Sequence, residues 1–344
     1  MISCPLPLPA KDRVLLGHGS GGKLSAELIR EVFLPAFRSP VLGRLEDQAV
    51  LEVEGGRLAF TTDSFVVQPL FFRGGDIGSL AVHGTVNDLA MGGAAPLYMA
   101  AAFILEEGFA IADLKRIALS MGRAAEAAGI EIVTGDTKVV EKGKGDGVFI
   151  NTTGIGRVYG GVHLSGANAR AGDAVLLSGY IGDHGITILS ERQDIGFEAP
   201  VTSDSAALNT LVRDMLAVEP GIRCMRDPTR GGLSSALNEI AGLSKVGVEL
   251  QEPAIPVREV VRGACELLGF DPLYVANEGK LVAIVPPDAA EGVLAAMRRH
   301  PLGQESALIG RVTEAHPGMV TMKTTFGTTR IVDMLPGDQL PRIC

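Results

Sequence analysis

Between residues 49 and 158 the apolar pattern alternates between two periods, and this limits the fold more than any other feature of the chain. Residues 49–53 and 58–61 flank Gly55-Gly56 and read as a hairpin. Residues 77–91 carry helical spacing, with Asp76 placed to cap the first turn. Residues 98–105 form an apolar run of strand length, and residues 111–128 form a strongly amphipathic helix. Residues 130–134 and 147–158 return to strand character. Hairpin, helix, strand, helix and strand in that order predict an α+β unit around one open sheet. Ahead of it, residues 23–37 set Leu24, Leu28, Ile29, Val32 and Phe33 on one helical face, closed by Pro35.

A second unit begins after the turn Arg170-Ala171-Gly172-Asp173. Its strands are expected at 174–178, 246–250, 281–285, 307–312 and 319–322. Its helices are expected at 185–191, 205–216, 232–242, 258–268 and 289–299. A chain of 344 residues can bury two cores. The expected class is therefore α/β (α+β) in two domains, 13–160 and 170–332, with a flexible arm at 1–12 and a tail at 333–344.

The tail contains Pro336, Gly337 and Pro341, which oppose a helix or a central strand, and it ends Pro341-Arg342-Ile343-Cys344. It reads as an extended, movable segment that presents a thiol. Cys4, Cys224, Cys265 and Cys344 show no paired CxxC spacing, so neither a zinc site nor a disulfide framework is expected. A reducing cytoplasm fits, and the N-terminus lacks the pattern of a signal peptide. The net charge of −9 and the lack of a long Lys/Arg run argue against a nucleic-acid surface. No apolar run reaches the roughly 18 residues of a membrane span.

Four acidic residues stand at element boundaries: Asp47, Asp63, Asp88 and Asp136. Hard oxygen ligands that converge suit Mg²⁺, which pairs with phosphate oxygens; singly, each could equally be a cap or turn residue. Gly17-His18-Gly19-Ser20-Gly21-Gly22-Lys23 runs into the first helix and could offer amides to an anion or be a plain glycine-rich loop. It is not a P-loop, because Leu24 follows Lys23. Arg226-Asp227-Pro228-Thr229-Arg230-Gly231-Gly232 also opens a helix, and its arginines and glycine amides suit phosphate or a carboxylate. Lys138 follows Asp136 by two residues, so in a strand both share one face, where a cation could serve phosphoryl transfer. Glu278 precedes a strand and is a candidate base. Lys138 and Glu278 also read as surface ion-pair residues, and His184 and His83 as satisfied, partly buried histidines.

Together these motifs resemble the HypE family of hydrogenase maturation factors, within the ATP-binding superfamily of aminoimidazole ribonucleotide synthetase, selenophosphate synthetase and thiamine-monophosphate kinase. The resemblance spans nearly the whole chain. It rests on His18-Gly-Ser-Gly-Gly, Thr62-Asp63-Ser64, Phe71-Phe72 with Gly74-Gly75, Gly84-Thr85-Val86-Asn87-Asp88 and Gly135-Asp136-Thr137-Lys138. It continues through Gly182-Asp183-His184-Gly185, Asp227-Pro228-Thr229-Arg230-Gly231-Gly232, Asn277-Glu278-Gly279-Lys280 and the terminal Cys344. The aspartate motifs belong to the superfamily, and the terminal cysteine singles out the family.

The resemblance implies two α/β domains whose N-terminal sheets pair across a homodimer, with ATP near that interface. It implies ATP-dependent dehydration of an S-carbamoyl group on Cys344 to a thiocyanate. The carbamoyl group would come from HypF, and the cyano group would pass to the HypC–HypD iron complex. Asp47, Asp63, Asp88 and Asp136 would be metal positions for Mg²⁺. Gly19, Ser20, Gly21, Gly22, Asn87, Thr137, Thr229, Arg230, Gly231 and Gly232 would bind ATP. Cys344, Lys138 and Glu278 would carry the chemistry, with Asp227 and His184 as further candidates. Two other readings stand beside it: a small-molecule kinase or synthetase of the same superfamily, and a non-catalytic scaffold that docks its tail.

Overall fold

Residues 16–19, 21–37, 39–192, 200–335, 337 and 342–344 are described by the computed structural model. The arm expected at 1–12, Ser20 and most of the residues just before Arg342 lie outside the described residues. Helix α1 (Lys23–Leu28) passes through a π-helical turn (Ile29–Phe33) into α2 (Leu34–Phe37). The single helix expected at 23–37 is thus interrupted, and Pro35 sits in the first turn of α2 rather than ending the segment. A proline inside a continuous helical run removes one N–H and crowds the carbonyl a turn ahead of it, and the π-helical turn lies at that place.

Strands β1 (Ala49–Val53) and β2 (Gly56–Phe65) form the expected hairpin. A second small hairpin, β3 (Phe71–Phe72) and β4 (Gly75–Asp76), leads into helix α3 (Ile77–Met91). Asp76 caps α3: its Oδ1 accepts from Gly78 N at 2.8 Å and Ser79 N at 3.0 Å, and Ser79 Oγ accepts from Asp76 N at 3.1 Å. Strand β5 (Ala94–Glu106), helix α4 (Ile111–Ala128) and strands β6 (Glu131–Val140) and β7 (Val148–Val158) complete the first unit. The sheet order is β1-β2-β7-β5-β6, and only β5 and β6 run parallel. β5 begins before the expected residue 98 and includes Pro96, which a register shift between Pro96 and Tyr98 accommodates.

The second unit contains β8 (Ala174–Leu177), α5 (Asp183–Ser190), α6 (Asn209–Val218), β9 (Cys224–Arg226) and α7 (Gly232–Ser244). It continues with β10 (Gly247–Gln251), α8 (Glu259–Leu268), β11 (Val282–Val285), α9 (Ala290–Arg299), β12 (Ala307–Thr313), β13 (Val320–Lys323) and β14 (Thr329–Val332). Its seven-stranded sheet runs β14-β13-β10-β12-β8-β11-β9. Strands β9 and β14 carry too short a pattern to be read from the sequence. Helix α6 starts later than expected because the residues before it are tied to α3. His83 Nδ1 lies 2.9 Å from Ser205 Oγ, and Asn87 Oδ1 accepts from Leu208 N at 2.8 Å.

Helix α3 is therefore the central element, buried around nearly its whole circumference between the first sheet and the second unit. Its Leu80, Val86 and Leu89 are fully buried, each contributing about 1.5–3 kcal/mol over an exposed side chain. The same core continues into Ile188 and Ala276 of the second unit and into Ile343 and Cys344. Among the described residues no helix is long and apolar enough to cross a membrane.

Candidate active site

The site lies where β2, α3 and the loop after β9 converge. Asp47 precedes β1, Asp63 lies on β2, Asp88 on α3 and Asp227 directly after β9. Thr61 Oγ1 stands 2.7 Å from Asp88 Oδ2 and 3.1 Å from the Asp47 carbonyl, which links Asp88 to the Asp47 segment. Arg226 joins the two units: its guanidinium pairs with Asp47, lies 3.2 Å from Glu239 and donates to Leu45 O at 2.7 Å. Of the partners offered by sequence for Arg226, the carboxylate is the one found.

Burial and mutual repulsion hold these acids towards their protonated forms. Asp88 is pushed well above the usual carboxylate range by burial, then by Asp227, Asp63 and Asp47. Asp227 is pushed up to about 8 by burial, then by Asp47 and Asp63. Burial raises Asp47 against the pull of Arg226, and raises Asp63 against that of Arg230. Crowded acids of this kind favour an incoming cation. Among the described residues no three acidic, Cys or His side chains form a ready metal cage. Mg²⁺ needs only one or two carboxylates when phosphate oxygens fill its remaining positions. The donor set therefore fits a Mg²⁺ that arrives with a phosphate ligand.

The two glycine motifs, far apart in sequence, interlock. Gly21 has φ +71, and a Cβ there would lie 2.8 Å from Arg230 O. Gly231 has φ +78, and a Cβ there would come within 3.3 Å of Gly21 O. Several amides in these loops are already engaged: Gly21 N with Ser25 Oγ at 2.9 Å, Lys23 N with Leu335 O at 3.0 Å and Gly232 N with Thr229 O at 3.0 Å. Close backbone packing accounts for the glycines at these positions. Gly19, Gly22 and Thr229 belong to the same interlocked pair of loops.

Cys344 lies in this cup. It is only 8% exposed, and its thiol is raised by burial and by the neighbouring Glu278 and Asp63, against the lowering pull of Arg230. Arg230 is in turn raised first by Cys344. Glu278 is almost fully buried, its Oε1 has no hydrogen-bond partner among the described residues, and it is pushed well above the usual range by burial, then by Asp227, Asp63 and Asp204. Its backbone is pinned: Glu278 N donates to Asp204 Oδ1 at 3.0 Å, and a Cβ on Gly279 would lie 1.8 Å from Asp204 O. The surface ion-pair reading of Glu278 fails, because the residue faces the interior.

Asp136, Thr137 and Lys138 are not brought to this cup. Lys138 Nζ lies 2.9 Å from Asp136 Oδ2, so the two do share a strand face, but both are exposed on the edge strand β6. In register, Asp63 sits opposite Thr152, which is buried against α3 at Thr85, so Asp63 points to the helix side of the sheet. Lys138 sits opposite Ile104 and Asp136 opposite Ala102, on the side that leaves Ile104 46% exposed. β7 and β5 intervene, about 14 Å of sheet. Within one subunit the expected set of four aspartates therefore splits into three and one.

The structure also gives the partners of Asn87 and His184. Asn87 spends its amide on Leu208 N, Ala206 O at 3.1 Å and Glu278 O at 3.3 Å. It positions the Glu278 segment. His184 is fully buried and satisfied, and one of its partners is the tail: Nε2 lies 2.7 Å from Ile343 O. Asn277 and Asp204 were not singled out. Asn277 Oδ1 accepts from Gly182 N at 2.7 Å and its Nδ2 donates to Pro228 O at 2.9 Å, tying three motifs together. The only signal for Asn277 was its place beside Glu278, and Asp204 carried none.

The two units match the domains of the AIR synthase related proteins. Their N-terminal domain matches residues 45–158 and their C-terminal domain residues 170–323. Carbamoyl dehydratase HypE of Azotobacter vinelandii is 62% identical over 327 residues, covering 95% of this chain and 96% of that protein. A crystal structure of hydrogenase maturation protein HypE in complex with ATP aligns with TM-score 0.81 at 53% identity, covering 96% of this chain and 100% of that one. The HypE–HypF complex aligns with TM-score 0.85 at 50% identity, covering 90% and 99%. The chain belongs to the HypE family of hydrogenase maturation proteins.

Proposed function

We propose that this protein is an ATP-dependent carbamoyl dehydratase whose substrate is its own C-terminal cysteine. The observation that carries the reading is the seat of Cys344 against Glu278 and Arg230, inside the cup of Asp47, Asp63, Asp88 and Asp227. The ATP complex of a relative 53% identical supports the nucleotide, and the HypE–HypF complex supports HypF as carbamoyl donor.

An amide oxygen is a poor leaving group. Its attack on the γ-phosphorus of ATP expels ADP and makes it a good one, and phosphate then departs as the C≡N bond forms. The amide oxygen ends in phosphate, both N–H protons leave, and Cys344 carries a thiocyanate. Glu278 takes a proton from nitrogen: it is buried, has an oxygen unpartnered among the described residues and, once ionised, is a strong base because its site resists ionisation. Arg230, beside the thiol, opposes that resistance and is placed to meet the oxygen of a carbamoyl group on Cys344. Mg²⁺ would neutralise phosphate charge, held by Asp47, Asp63, Asp88 and Asp227. The protein excludes water from the cup, which protects the product from hydrolysis.

A buried thiol held above its usual range cannot serve a second enzyme, so the tail must leave the cup to be carbamoylated and again to deliver cyanide to the HypC–HypD iron. Lys138 and Asp136 join the site only from a second copy, paired through the open sheet face that exposes Phe60, Tyr98 and Ile104. This is the homodimer that the resemblance implies. The test is intact mass: about +43 Da after the carbamoyl-donor system and about −18 Da after ATP, both absent in Cys344→Ala. An unchanged mass in the native chain removes the reading.

A further inference from the structure

The chemistry above leaves His184 and the Phe71-Phe72…Gly74-Gly75 motif without a task. Both lie next to the tail. The thiol of Cys344 can be no better placed than the three residues that carry it, and each of their carbonyls is held. Arg342 O accepts from Gln68 N at 3.1 Å and Arg192 Nη2 at 3.0 Å. Ile343 O lies 2.7 Å from His184 Nε2, and Cys344 O accepts from Val66 N at 3.1 Å. Val66 and Gln68 are two residues apart just past β2, so the tail docks as an added strand would. Ile343 is buried in the first core.

Among these contacts the His184 bond is the one made by a fully buried side chain. His184 Nδ1 lies 2.8 Å from Ser203 Oγ. A hydroxyl proton given to Nδ1 leaves the ring proton on Nε2, the tautomer that donates to Ile343 O. Ser203 is itself fixed. Its N donates to Arg73 O at 3.0 Å, and its Oγ accepts from Ser205 N at 3.2 Å. Gly74 has φ +94, and a Cβ there would lie 2.8 Å from Ser203 O. The Phe72 ring meets His184 edge-on at 5.6 Å. The β3–β4 turn, Ser203 and His184 thus form one relay that ends on the tail. The docked tail also holds Arg342 at φ +58, a region disfavoured for any residue but glycine, so its contacts must offset local strain.

We propose that His184, with its tautomer set by Ser203, is a positioning residue that latches the tail. Its Nε2–H on Ile343 O decides how much of the time Cys344 faces Glu278 and how much it is released to a carbamoyl donor. The proposal rests on the tail being a tethered substrate. Its test does not depend on the dehydratase chemistry.

The full-length protein, without nucleotide or donor, is treated with iodoacetamide, and alkylation of Cys344 is followed by peptide mass. The rate reports the released fraction of the tail. Loss of one such hydrogen bond should speed Cys344 alkylation about five- to tenfold in His184→Ala and in Ser203→Ala. His184→Gln keeps an amide donor in reach and should stay within about twofold of the native rate. Cys224 and Cys265, buried in the second unit, should remain unreactive and so report that the fold is intact. The same Ala variants should dehydrate a carbamoylated tail more slowly while accepting the carbamoyl group faster, in step with alkylation. The latch is overturned if Cys344 alkylation is unchanged in both Ala variants, if His184→Gln behaves as His184→Ala, or if Cys224 and Cys265 become reactive in parallel. Should His184→Ala fail to fold, Ser203→Ala and His184→Gln decide the question. If ATP never dehydrates the tail but alkylation follows this pattern, the latch stands and the activity falls.

Discussion

The acidic cup and the open face of β6 both carry aspartates, but the two regions treat them oppositely. In the cup, burial and like charge raise Asp88 and Asp227. On β6, Asp136 is lowered, first by its hydrogen bond to Lys138 and then by Thr137 N. The cup holds more acids than Arg226 and Arg230 offset, whereas the β6 face pairs its aspartate with its own cation and is already satisfied. One region is a receptor within the subunit. The other is a surface that gains a role only when something covers it. Equal motif quality in the sequence says nothing about which is which.

The largest effect should come from the cup's base. Glu278→Gln should cut dehydration by about 10²–10⁴-fold while leaving carbamoyl transfer intact, so that intact mass stops at the carbamoylated species. Next comes the open face. Lys138→Ala should cut turnover by about 10²-fold if Lys138 serves a second copy, and mixing that variant with Glu278→Gln should restore about a quarter of native activity, because each mixed pair holds one complete site. No recovery on mixing would place Lys138 outside the site.

A smaller effect concerns pH. The folded value of Asp227 is about 8 against an unfolded value near 4. The stability it contributes is therefore full below about pH 4 and lost as pH rises through about 8. Asp227→Asn should raise the nucleotide-free Tm at pH 9 by a few degrees, with no gain at pH 4, and should lose the stabilisation that Mg²⁺ with ATP gives the native chain. Thermal melts at the two pH values check the sign. Metal and nucleotide binding should also release protons near neutral pH, seen by calorimetry in two buffers of different ionisation enthalpy. The smallest change is expected from Asp136→Asn. Its lowered value gives stability above the unfolded value that is lost as pH falls, but both partners are exposed, and Tm should not move.

Much of the architecture was legible because its signals are local. The period changes between residues 49 and 158 gave the hairpin, α3, α4 and the strands. The Asp76 cap is a short-range pattern, and the capping box is what forms. What escaped were elements defined by their neighbours. β9 is three residues that become a strand by pairing with β11, and the start of α6 is set by Asn87 and His83 on another helix. In the site, Asp63, Asp88 and Glu278 were readable as carboxylates fixed at element ends. Ser203 and Asp204 were not, because they sit in an irregular segment whose position depends on Gly74, Asn87 and Gly279.

By itself the sequence determined which chemical groups are present, the periods that fold them into two sheets with helices, and a thiol at the end of a proline- and glycine-rich stretch. Those properties depend on side-chain type and spacing of a few residues. The tertiary structure decided which groups meet. It placed Cys344 beside Glu278, set Asp227 against Asp47 and Asp63, turned Asp136 and Lys138 to the opposite face of the sheet and gave His184 the tail to hold. The reason is geometric: burial, field and facing are set by elements hundreds of residues apart, and a strand's two faces are fixed only once its neighbours are in register.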